Sequence, residues 1–127
     1  MFDSLLQTNI RVRNLAKAVD WYQEVLGLRL INVYEDTTAL LDFGIREADT
    51  QNPIICLIKL SENEEQITAD TITYPVFKIA DAKIGTIYDE LKRKGVRVEE
   101  TPANKAHFKF YDCEGNLIEC FHPKAYE

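Results

Sequence analysis

Polar and apolar residues alternate from Gln7 to Val12, which predicts a half-buried strand. Thr8, Ile10 and Val12 fall on one face and Gln7, Asn9 and Arg11 on the other. Asn14 then offers an N-cap, and Leu15, Val19, Tyr22 and Leu26 recur at helical spacing before Gly27. That pattern predicts a helix over residues 15–26 lying on a sheet. Residues 28–34 and 37–43 read as a strand pair. Glu35-Asp36 is the turn between them, although neither residue is favoured in a two-residue hairpin, so the register stays open. Residues 54–60 read as a strand with apolar residues at both parities, which leaves its faces unassigned. The polar stretch 44–52 is a loop, and the acidic stretch 61–71 a solvated connection.

The opening then recurs. Tyr74-Pro75-Val76-Phe77-Lys78-Ile79 repeats the strand of Gln7 to Val12, and Asp81 stands where Asn14 stood. Ile84, Ile87, Tyr88 and Leu91 make a second helical face, and Gly95 ends it. Pro75 cannot donate to a ladder, so it belongs at the start or edge of its strand. Residues 96–100 form another strand. His107 to Phe121 forms the last hairpin, around the turn Asp112-Cys113-Glu114-Gly115-Asn116. The predicted fold is α+β, with two tandem βαβββ modules forming a curved mixed sheet that has a concave ligand cup. A single domain spans 1–127, with module 1 at about 4–60, a linker at about 61–72 and module 2 at about 73–123.

Composition changes this picture little. A hydrophobic share of 46% beside 28% charged residues is that of a folded globular protein. A formal charge of −6 argues against nucleic acid as a partner, which needs a basic footprint. No apolar run reaches the length of a membrane span, and the N-terminus lacks a basic region followed by an apolar one. We therefore expect a cytoplasmic protein with neither a membrane nor a nucleic-acid partner. Cys56, Cys113 and Cys120 are odd in number and contain no C-x-x-C, so free thiols are expected.

Three stretches carry a family resemblance. They are Ile10-Arg11-Val12-Arg13-Asn14-Leu15 with Trp21 to Leu28, then Phe77 to Asp81 with Leu91 to Val96, then Asp112-Cys113-Glu114-Gly115-Asn116-Leu117-Ile118-Glu119. The last is close to a D-P-D-G-N-x-x-E turn. Together they resemble the vicinal oxygen chelate superfamily, the glyoxalase, bleomycin-resistance and extradiol-dioxygenase group. A fold of this kind hosts unrelated chemistries, so the resemblance speaks to architecture more than reaction. In the family's metal-dependent members, ligands come from the first strand of each module and from the last strand. On this chain those positions are Gln7, Tyr74 and Glu119, with a fourth near residues 56–58. Tyr74 departs from the pattern, because His is usual there and a neutral phenol is a poor ligand for such metals.

Strand parity assigns the cup face to Gln7, Asn9 and Arg11, to Tyr74, Val76 and Lys78, and to His107, Lys109, Leu117, Glu119 and Phe121. The resemblance adds that His107 and Lys109 match substrate-holding positions in members that modify phosphonate antibiotics. Arg11, Lys78 and Lys109 make this face cationic and favour an anionic ligand. The candidate ligand-binding residues are therefore Asn9, Arg11, Tyr74, Val76, Lys78, His107, Lys109 and Phe121. The expected function is binding of a small anionic metabolite or antibiotic without a full metal site. The alternative is a metal-dependent glyoxalase-like lyase or isomerase, dioxygenase or transferase. There Gln7 and Glu119 would hold nickel, zinc, manganese or iron, and Glu119 or His107 would move a proton. The resemblance also implies a homodimer.

Overall fold

The computed structural model describes residues 1–44, 53–65 and 73–127. Residues 45–52 of the expected loop and 66–72 of the expected connection fall outside them. The chain divides into two compact units, Met1–Gln66 and Ile67–Glu127.

In the first unit, β1 (Gln7–Val12) leads to α1 (Leu15–Glu24), β2 (Arg29–Tyr34), β3 (Thr38–Asp42) and β4 (Ile54–Lys59). The sheet order is β1-β4-β3-β2, with β1 and β4 parallel and the other pairs antiparallel. Asn14 caps α1 by accepting a hydrogen bond from Lys17 N at 3.1 Å. Leu15, Ala18, Val19 and Tyr22 form its buried face. The helix stops before Leu26, the last residue of the expected stripe. Strand β4 lies between β1 and β3, and Ile55, Cys56 and Leu57 are all buried. A central strand covered on both faces has no polar parity, which is why its sequence did not reveal one. Register now assigns the faces: Ile54, Cys56 and Ile58 lie beside Gln7, Asn9 and Arg11.

The β2–β3 turn differs from expectation. Glu35 and Asp36 both adopt left-handed backbone, with φ of 53° and 55°, and Thr37 N donates to Tyr34 O at 3.0 Å. This is the mirror-image type I′ geometry that matches strand twist, here built without the usual glycine. A register shift between Leu30 and Asn32 leaves Ile31 as the extra residue of a bulge on this edge strand. Bulges of this kind bend an edge and discourage pairing with another sheet.

The second unit holds β5 (Val76–Lys78), a 3-10 turn (Asp81–Lys83), α2 (Ile87–Arg93), β6 (His107–Tyr111) and β7 (Leu117–Phe121). Its sheet order is β5-β7-β6, with β5 parallel and β6 antiparallel to β7. The expected long helix after Asp81 is interrupted. Gly85 takes a φ of 84°, a conformation that breaks helical propagation, and Ile84 is exposed rather than part of the buried face. Tyr88 and Leu91 do face the core. The strand expected at 96–100 reduces to one bridge, Val98 to Phe110. Arg97 O still accepts from Tyr111 N at 3.0 Å and Glu99 N donates to Lys109 O at 2.9 Å, while the Tyr88 hydroxyl oxygen lies 2.7 Å from Glu99 O and 3.0 Å from Glu100 O, where the pairing ends. Consecutive carbonyls of a strand point opposite ways, so two that reach one hydroxyl mark the end of extended strand geometry at Glu99 and Glu100.

The β6–β7 turn is held as its composition implies. Asp112 is buried, and its Oδ1 accepts from Glu114 N at 2.9 Å and Asn116 N at 2.8 Å. Its Oδ2 accepts from Asn116 Nδ2 at 3.0 Å, and Gly115 supplies the positive φ. Phe108, Phe110, Ile118 and Cys120 are buried on one parity of the hairpin. Each such large side chain contributes about 1.5–3 kcal/mol of burial before entropy is subtracted. The opposite parity, carrying His107, Lys109, Glu119 and Phe121, is the more exposed face.

Candidate functional site

Register lays out that open face as a grid. Glu119 on central β7 has Val76 beside it on β5 and Lys109 beside it on β6. Two residues on, Phe121 has Lys78 on one side and His107 on the other. Tyr74 precedes β5, and Lys109 Nζ sits 5.4 Å from the centre of its ring. The structure thus brings Tyr74, Val76, Lys78, His107, Lys109, Glu119 and Phe121 onto one sheet face, as parity predicts.

His107 is the most connected of them. Its Nε2 lies 3.6 Å from Glu119 Oε2, an ion-pair distance but too long for a hydrogen bond. Its Nδ1 lies 2.7 Å from the Tyr126 hydroxyl. The ring meets Phe121 edge-on at 4.8 Å and Tyr126 edge-on at 5.6 Å. Phe121 and Tyr126 are 6.4 Å apart and tilted by 31°. Three rings therefore make a continuous patch at one end of the face.

Tyr126 was missed by the sequence reading. It lies in the C-terminal turn, beyond the last periodic element, and no spacing rule reaches it. Tertiary bonds bring it there. Asn104 Nδ2 donates to Ala125 O at 2.6 Å, and Ala125 N donates to His122 O at 2.8 Å. His122, buried at 2% exposure, is a structural residue. Its Nδ1 accepts from Lys124 N at 3.0 Å, so Nε2 carries the proton and donates to Asp81 Oδ1 at 2.7 Å. That bond first, and then Lys78 and the other nearby cations, hold the Asp81 carboxyl below its ordinary range.

The cations differ in how far they are engaged. Arg11, on the first unit's sheet, lies 3.4 Å from Glu64 Oε2. Among the described residues, neither the Lys78 nor the Lys109 ammonium has a carboxylate within ion-pair distance, although Lys78 acts on Asp81 at longer range. Gln7 and Asn9 are joined by a bond from Gln7 Nε2 to Asn9 Oδ1 at 2.9 Å. Cys120 is no nucleophile. Burial pushes its thiol up to about 12, and its Sγ donates to Phe108 O. Burial likewise raises Cys56, with Arg11 opposing the shift.

Within the second unit the donors do not by themselves make a family-type divalent site. Among the described residues no three His, Cys, Asp or Glu side chains converge on one point. Tyr74 offers a neutral phenol, and the ammonium over its ring belongs to the residue paired with Glu119. A cation held beside both candidate ligands opposes a second one.

The described helices include none long and apolar enough to cross a membrane. A curated relative, the uncharacterized protein YraH of Bacillus subtilis strain 168, is 26% identical over 125 residues, covering 92% of this chain and 96% of that one. Among solved structures, the fosfomycin resistance protein FosX of Listeria monocytogenes matches with a TM-score of 0.67 at 19% identity, over 96% of this chain and 92% of that one. Lactoylglutathione lyase of Agrobacterium tumefaciens matches with a TM-score of 0.67 at 14% identity, over 98% and 96%. Identities this low speak to the fold alone. The model of the Glyoxalase/Bleomycin resistance protein/Dioxygenase superfamily matches residues 4–120, and the chain belongs to that superfamily.

Proposed function

We propose that this protein binds a small anionic metabolite or antibiotic on the open face of its second sheet, without a family-type metal site. The observation that carries the reading is the pair of ammonium groups, Lys78 and Lys109. Both are on this face, and neither is within ion-pair distance of a carboxylate among the described residues. A cation left unpaired on a sheet face beside apolar rings gains from a carboxylate, phosphate or phosphonate. Val76 and Phe121 supply apolar contact between the charges, and His107 adds a hydrogen-bonding edge. The protein would act in the cytoplasm as a homodimer, which size-exclusion chromatography with light scattering would test.

Thermal shift against a panel of carboxylates, phosphates and phosphonates tests the binding. Stabilisation by at least one anion, lost in Lys78→Ala/Lys109→Ala, is expected. No shift with any anion, or an equal shift in that double variant, would sink the reading.

A second reading is favoured by the 3.6 Å approach of His107 Nε2 to Glu119 Oε2. An imidazole beside a carboxylate is a plausible proton-transfer pair for an enzyme of the lyase, isomerase, dioxygenase or transferase kind. In that reading Glu119 would supply one ligand to a divalent ion, which would act as a Lewis acid. Nickel, zinc, manganese or iron that survives dialysis in the whole protein, and is lost in Glu119→Gln, would move the assignment to it.

A further inference from the structure

We infer that Tyr126 is a specificity-determining residue of this face, and that the anion it selects carries a planar aromatic body. The inference rests on the anion-binding reading above and adds the ligand's shape. Three observations lead to it. Phe121, His107 and Tyr126 form one connected patch of rings, with His107 edge-on to both neighbours. Tyr126 is 67% exposed, so the patch presents an open ring to a ligand and is not closed off as core. Lys78 is the register partner of Phe121, so its backbone lies one strand spacing, about 5 Å, from that of Phe121 on the same sheet face.

The exposed phenol is also fixed. Its hydroxyl is held by His107 Nδ1 at 2.7 Å, and its chain segment is tied down by Asn104 and His122. A flat ring held in place at little further entropic loss is a good stacking platform. The carboxylate of the face does not oppose this arrangement. Glu119 is two residues from Phe121 along β7, beside Lys109, and it approaches His107 Nε2. The ligand's ring stacks on the open Tyr126 ring at the end of the patch, near His107, and its charge lies toward Lys78.

The test is isothermal titration of the full chain with benzoate and 2-naphthoate against cyclohexanecarboxylate, which carries the same charge on a non-planar body. The aromatic acids should bind about tenfold tighter. Tyr126→Ala should abolish that preference while leaving cyclohexanecarboxylate binding within about twofold. Tyr126→Phe, which keeps the ring and loses the hydroxyl, should retain it. Bound aromatic acid should also shift the His107 ring protons upfield by its ring current, a readout that a merely structural tyrosine would not give. Equal binding of both kinds of acid overturns the inference and leaves the anion reading standing. Failure of all three acids to bind overturns the inference, and the anion reading falls with it only if inorganic phosphate and methylphosphonate, titrated alongside, also fail to bind. An undiminished preference in Tyr126→Ala removes Tyr126 from the role.

Discussion

The Tyr126 hydroxyl lies 2.7 Å from His107 Nδ1, joining the C-terminal turn to the first residue of β6. Both side chains also contact Phe121, so one hydrogen bond and two edge-on ring contacts act together. A net contribution of about 0.5–1.5 kcal/mol is expected for such a bond. Tyr126→Phe should lower the urea unfolding free energy by that amount. Amide exchange at His107 should quicken. Unchanged stability and exchange would mean that the bond is not populated in solution.

His122 is a buried imidazole with both nitrogens engaged, one by Lys124 N and one by Asp81. His122→Ala leaves the Lys124 amide without its acceptor and opens a space under the C-terminal turn. Destabilisation of about 1–3 kcal/mol is expected from equilibrium unfolding. His122→Phe should recover little, because the ring refills the space without restoring either bond.

Acid should weaken the first unit through a named pair. Arg29 donates to Asp42 twice, Nη2 to Oδ2 at 2.7 Å and Nε to Oδ1 at 3.1 Å. The guanidinium holds the Asp42 carboxyl below its ordinary 3.8, with Gly44 N adding to the effect. A carboxyl depressed in the folded state stabilises the fold above its unfolded value, and the contribution is lost as pH falls through the folded one. The stability gap between the wild type and Arg29→Gln should therefore be present at pH 6 and shrink below about pH 3.8. Chemical denaturation at pH 6, 4 and 3 measures it, and a gap that widens in acid would contradict the assignment.

Asp112 cages the β6–β7 turn with three accepted hydrogen bonds. Asp112→Ala orphans the Glu114 and Asn116 amides and should cost about 1–3 kcal/mol. Asp112→Asn keeps one acceptor oxygen and should cost less. The order wild type, Asn, Ala in urea midpoint is the check.

Glu35 and Asp36 both hold left-handed backbone, which costs an ordinary L-residue such as Glu35 about 1–2 kcal/mol and an Asp less, while Gly carries no such penalty. Asp36→Gly, which suits the second turn position, should stabilise by about 0.5–1 kcal/mol. Asp36→Val should do the opposite. A thermal midpoint that falls for glycine would show that the side chain matters more than the backbone.

Local chemistry was enough to read much of this protein. Alternation at Gln7–Val12 and His107–Tyr111 assigned the open and buried faces, because a strand's side chains have a period of two wherever one face is covered. Asn14, Asp112 and Gly115 act where they stand, through bonds to backbone a few residues away, so their roles could be read from spacing. The family could be read for the same reason: its turn and caps are local. Tertiary structure decided the rest. Both faces of β4 are buried, so no sequence period could assign them until β1 and β3 were paired with it. Residues 96–100 look like a strand, yet they pair with β6 only around Val98, and the Tyr88 hydroxyl meets the Glu99 and Glu100 carbonyls where the pairing stops. Tyr126 has no pattern at all. It joins His107 and Phe121 because His122, Asp81 and Asn104 fold the C-terminal turn back. Contacts between residues far apart in the chain leave no mark on local periodicity, and here they built the ring patch.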